Sequence, residues 1–198
     1  MGKIIGLAVA VLVVLGLIFG GWIFGTYNRL VGVDEQVNEA WSQVENVYQR
    51  RMDLIPNLVE TVKGVADFER ETYTAVSEAR AQAGKVQLSP ELLQDPQAFQ
   101  RFEQTQGALS SALSRLLVTV ERYPELKANQ NFLNLQSQLE GTENRIAVER
   151  RRFNEVARTY NTTVRRFPTR FVAAIAGFDQ RPYFQAAEGA EQAPKVDF

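Results

Sequence analysis

The sequence predicts an all-α protein in which a transmembrane helix leads into an up-and-down antiparallel four-helix bundle with long helices. Three observations point there. The run from Ile4 to Phe24 is 21 residues without a charge. From Tyr27 to Phe167 the apolar residues recur at steps of three, four or seven, the period of one helix face. Strand alternation and Asn-Gly hairpin signals are lacking.

About 20 apolar residues cross the ~30 Å hydrocarbon layer at helical rise, so Ile4 to Phe24 is long enough to span it. A cleaved leader has a shorter apolar region and a small-residue cleavage site, and Gly20-Gly21-Trp22-Ile23-Phe24-Gly25 offers none. Residues 1–26 are therefore expected to be a retained single-pass anchor, with Trp22 and Tyr27 at headgroup level. Lys3 on the short side outweighs the mostly acidic stretch after Tyr27, so the body is expected on the non-cytoplasmic side of the membrane. Gly16, Gly20, Gly21 and Gly25 form small-xxx-small pairs, candidates for helix association in lipid.

The first body helix carries Leu30, Val37, Trp41, Val44, Tyr48, Ile55, Leu58 and Val62 on one stripe. Pro56 lies within it and cannot bond the carbonyl of Met52, which predicts a kink. Gly64 followed by Asp67 reads as a stop and a fresh N-cap, against the alternative of a helix continuing through Gly64. A second helix is expected over 67–83, ending at Gly84, and Ser89-Pro90 and Asp95-Pro96 both read as cap and first turn. The third helix spans 96–122 with Phe99, Phe102, Leu109, Leu113, Leu116 and Val120 inward. The fourth shows the clearest seam, from Phe132 through Leu135, Leu139, Thr142, Ile146, Glu149, Phe153, Val156, Tyr160 and Val164 to Phe167, and Pro168 ends it. Short links between these segments favour antiparallel neighbours. The bundle is thus expected over 27–178, and a flexible tail over 179–198.

Several stretches of this chain, Tyr27-Asn28-Arg29-Leu30, Trp41-Ser42-Gln43-Val44, RRMDLIPNLVETVKG (50–64), YPELKANQNFLNLQSQLEGTENRIA (123–147), Tyr160-Asn161 and Phe167-Pro168, resemble the LemA family of bacterial membrane proteins. The resemblance implies a single-pass anchor with a helical bundle in the bacterial inner membrane. It brings no catalytic residues.

The chain holds neither cysteine nor histidine, which removes disulfides, thiol nucleophiles, imidazole bases and Cys/His metal sites. No Walker A loop or G-x-G-x-x-G turn is present, and 22 basic against 23 acidic residues give no basic footprint for nucleic acid. No enzyme, no cofactor and no small-molecule substrate is expected. The expected partners are the lipid bilayer, further copies of the chain, and an envelope protein.

From Arg145 to Arg170 eight arginines face two glutamates. In the bundle topology this helix descends to the bilayer. Arg165, Arg166 and Arg170 are then candidates for anionic lipid, or for neutralising the acidic stretch Asp34–Glu45. The apolar segment after Pro168, with Phe171, Ile175 and Phe178, is too short to span; it lies in the interface, caps the bundle base, or meets a neighbouring subunit. Arg51 and Glu149 fall on apolar stripes, and a register that sets Leu30 against Val164 brings Arg51 near Glu143, with Glu149 a turn or two away. A buried charge must be paired, so these are candidates for an ion pair that fixes the register. A ligand-binding carboxylate is the alternative.

Overall fold

A computed structural model describes residues 2–65 and 68–185, and every regular element among them is helical. Helix α1 runs without interruption from Gly2 to Lys63, about 93 Å at 1.5 Å per residue. The membrane segment and the first body helix are therefore one rod, with no hinge at the expected boundary near residue 26. Within α1 the apolar run is long enough to cross a membrane, and an 18-residue window of it has no residue buried by the rest of the chain.

The rod continues through Pro56. The carbonyl of Met52, which the proline ring leaves without its helical donor, accepts instead from Arg80 Nε at 2.9 Å. Arg80 belongs to α2 (Arg70–Ala83), so the proline creates the acceptor that docks the second helix. α1 stops at Gly64, whose N–H reaches Glu60 O at 3.2 Å. Asp67, expected as the next cap, lies outside the described residues; Glu69 stands at the N-cap of α2 and makes no side-chain cap bond.

A 3-10 turn (Pro90–Gln94) leads into α3 (Pro96–Val120), which ends two residues before the expected Arg122. Asp95 caps it, accepting from the N–H groups of Gln97 and Ala98 at 2.9 and 3.1 Å. After the single turn α4 (Pro124–Lys127), Asn129 caps α5 (Gln130–Arg165) in the same way through Asn131 and Phe132. α6 (Thr169–Ala176) closes at Gly177, whose φ of 76° is the left-handed geometry that glycine adopts freely.

α1 and α5 pack along their length in opposite directions. Leu30 and Val164 share one apolar cluster, and Leu58 and Phe132 share the other. The cluster nearer the membrane adds Phe99 and Phe102 of α3 and Val172 of α6; the distal one adds Val76 of α2 and Leu116 of α3. The α5 seam is buried or half-buried from Phe132 to Val164, but Phe167 is 74% exposed because the helix has already ended.

The expected flexible tail needs correction at its start. Residues 179–185 lie extended against the body, with Phe184 only 5% exposed. Residues beyond 185 lie outside those described.

Candidate functional site

Between the two apolar clusters sits one polar layer. Arg51, on α1, is 1% exposed. Its Nη1 donates to Glu143 Oε1 of α5 at 2.6 Å and to Ser110 Oγ of α3 at 2.9 Å, and its Nη2 donates to Gln106 Oε1 of α3. The guanidinium also lies 5.1 Å from the Tyr48 ring centroid. One side chain thus ties three helices at one level. Glu149 is not among its partners: it sits 3.9 Å from Arg152 on its own helix. Sequence reasoning overlooked Gln106 and Ser110, which are polar positions on the inward side of α3.

The docked segment is held by its main chain. Asn161 Oδ1 accepts from the N–H of Arg181 at 2.8 Å while its Nδ2 donates to Arg181 O at 2.9 Å. Asn154 repeats this on Phe184, accepting at 2.9 Å and donating at 2.8 Å. The spacing explains the fit. Seven residues of helix rise about 10.5 Å, and three residues of extended chain span about 10 Å. Pro182 biases Arg181 toward the extended geometry this needs.

Side chains lock the segment at both ends. Arg181 pairs with Asp34 of α1 at 2.8 Å and lies over the Tyr160 ring. The Phe184 ring enters an aromatic nest, 4.9 Å from Phe99, 5.5 Å from Phe153 and 6.2 Å from Trp41 between centroids. Arg150 covers it at 4.6 Å while bonding Gln185 O and Glu103. Glu103 accepts as well from the Gln185 N–H at 3.1 Å. Burial pushes its carboxyl above the usual carboxylate range, and the Gln185 and Arg150 donors pull the other way.

At the membrane end, Val172 and Ala173 of α6 are buried while Phe171 and Ile175 are 56% and 90% exposed. Phe178 turns back to the α1 exit, its ring 5.9 Å from that of Tyr27. Arg165, Arg166 and Arg170 are exposed. Among the described residues no ion pair joins them to Asp34–Glu45; the partner Asp34 finds is Arg181, from the stretch expected to be loose. Gly16, Gly20, Gly21 and Gly25 face no other part of the chain within 4 Å.

Among the described residues no group of three His, Cys, Asp or Glu gathers to hold a metal. The Tyr160 phenol, 0% exposed, is raised from 10.0 to about 12, chiefly by burial. Its folded value lies above its unfolded one, so its contribution is complete below about pH 10 and is lost as pH rises through about 12. Thermal midpoints measured at pH 9 and 11 should show that loss in the wild type, and Tyr160→Phe should reduce it.

The sequence profile of the LemA family matches residues 40–198. Magnetosome protein MamQ 1 of Paramagnetospirillum magneticum is 30% identical over 175 residues, covering 80% of this chain and 64% of its own length. Magnetosome protein MamQ of Magnetospirillum gryphiswaldense is 31% identical over 174 residues, with the same coverage. Protein LemA of Metamycoplasma hominis is 24% identical over 167 residues, covering 83% of this chain and 71% of its own. The chain thus spans less than two thirds of the length of the MamQ relatives.

Proposed function

We propose, from the premise that this chain belongs to the LemA family, that it is a membrane-anchored scaffold of the bacterial envelope that works by self-assembly rather than by catalysis. The observation that carries the reading is the unbroken α1 rod. A flexible link after the anchor would let a body sample positions freely; a continuous helix fixes its height and direction on the bilayer. Taking about 30 Å of the rod for the membrane leaves roughly 60 Å standing out, clothed by α2, α3 and α5 as an up-and-down bundle. The Arg51 layer sets the register of that bundle, because only one alignment of α1 and α5 gives the buried guanidinium its carboxylate. The unpartnered glycine strip of the anchor supports contact between copies. Lys3 on the short flank supports an orientation with the body on the non-cytoplasmic face of the inner membrane.

The second reading is an adaptor for another envelope protein. The docked 179–185 segment favours it, since the body holds an extended chain through main-chain contacts that do not depend on sequence. Mass photometry of the full chain in mild detergent separates the two. A scaffold gives one defined peak at a multiple of the 22.3 kDa protomer after detergent correction. A protomer-sized peak at every concentration overturns self-assembly.

A further inference from the structure

We propose that α6 is a second membrane contact, a foot sunk in the bilayer beside the anchor, and that an acyl chain of a bilayer phospholipid fills the cleft between them. The inference rests on the reading of α1 as a spanning helix, and it assigns a lipid site which that reading does not contain.

Depth decides the matter. The strongly apolar part of α1 ends at Phe24, five residues before the next charge at Arg29, and spanning ~30 Å of hydrocarbon takes about 20 residues, so most of Ile4–Phe24 lies in lipid. Phe19 then sits roughly 7 Å inside the boundary. α6 packs against this same stretch. Phe19, Trp22 and Ile23 from α1, with Phe171, Val172 and Ile175 from α6, line a cleft of about 430 Å³. A helix packed against residues 19–27 of a spanning rod is at membrane depth whatever its own length. The depth matches the ~5–10 Å at which interfacial helices bury their apolar face.

The chemistry agrees. Phe167, Phe171 and Ile175, four apart, are 74%, 56% and 90% exposed. Phe171 and Ile175 share the cleft lining with Phe19 and Phe24 of α1, which are 61% and 72% exposed. Leaving so large an apolar surface in water is costly, and lipid removes that cost. Arg170, 5.8 Å from the Phe171 ring, and the exposed Arg165 and Arg166 rim the patch, where their heads reach anionic headgroups. The same arginines argue against a second copy as the occupant, because a two-fold contact through this patch would set the two rims of positive charge against each other.

The chain has no cysteine, so single thiols report cleanly. Ile175→Cys, Val14→Cys and Val118→Cys, each at an exposed position, are spin-labelled in the full chain and reconstituted into phosphatidylcholine–phosphatidylglycerol vesicles. Collision with oxygen and with a water-soluble nickel chelate is then measured. The 175 label is expected to favour oxygen, as the mid-anchor label at 14 does, while the label at 118 on the distal body favours nickel. A nickel-dominated 175 label with an oxygen-dominated label at 14 overturns the foot and leaves the anchor standing. A 175 label shielded from both probes and broadened by a second label puts another copy in the cleft and overturns the lipid. A nickel-dominated label at 14 overturns both the inference and the anchor beneath it.

Discussion

Replacing Glu143 with alanine is expected to cost the fold about 2–3 kcal/mol. The substitution leaves the Arg51 guanidinium, 2% exposed at its side chain, without a counter-charge. Arginine does not lose its proton to escape. Its remaining contacts, Gln106, Ser110 and the Tyr48 face, are neutral. Glu143 itself is 42% exposed, so water can enter where the carboxylate stood. For that reason the cost falls below the ~3–5 kcal/mol of a fully enclosed broken pair. A second variant separates a stranded charge from a merely lost contact. Arg51→Met keeps an apolar stem in place and removes the charge. In that background Glu143→Ala should cost no more than about 0.5 kcal/mol, a coupling of roughly 2 kcal/mol. Denaturant midpoints of the four proteins in one detergent give the cycle. Equal costs in both backgrounds would show that Glu143 contributes without reference to Arg51, and the register role would fall.

Much of this fold is legible in the sequence because helices write a period into it. The α5 seam from Phe132 to Val164, the α3 stripe from Phe99 to Val120 and the stop at Gly64 all appear where spacing puts them. The stripe also exposes Arg51 as a charge on an apolar face, and the pairing of Leu30 with Val164 leads on to Glu143. What spacing misses is whatever has no period. Residues 179–185 are extended and too few to repeat, so nothing in a helical reading raises them above a tail. The available signal was chemical: Arg181-Pro182-Tyr183-Phe184 puts a charge, a rigid link and two aromatics into a stretch that solvent would not need. The partner of Asp34 is hidden for a related reason. Counting arginines on α5 shows enough positive charge for Asp34 but not which arginine reaches it, and reach is set by where the chain goes after α6. Asn154 and Asn161 likewise read as polar neighbours of the seam until the docked segment supplies the groups they bond.

That segment leads to the second large effect, expected from Phe184→Ala. Truncating a core phenylalanine typically costs about 3–5 kcal/mol. Phe184 belongs to a short segment that can leave without unfolding the helices, so its loss is capped by the docking energy of the segment, roughly 2–3 kcal/mol. Once undocked, Asn154 and Asn161 exchange their main-chain partners for water, which removes the further penalty a sealed polar group would carry. Two measurements follow from this. Hydrogen exchange should lose protection at the Arg181 and Phe184 amides, which the two asparagines hold, while the N-terminal half of α5 keeps its protection. Asn161→Ala should release the same segment, so combining it with Phe184→Ala should cost little more than the larger single change. Costs that add in full would mean that the asparagine and the aromatic ring act on separate units. Loss of protection throughout α5 in Phe184→Ala would mean that the segment is a structural member of the helical body, because a clasp on its surface can open without taking the helix with it.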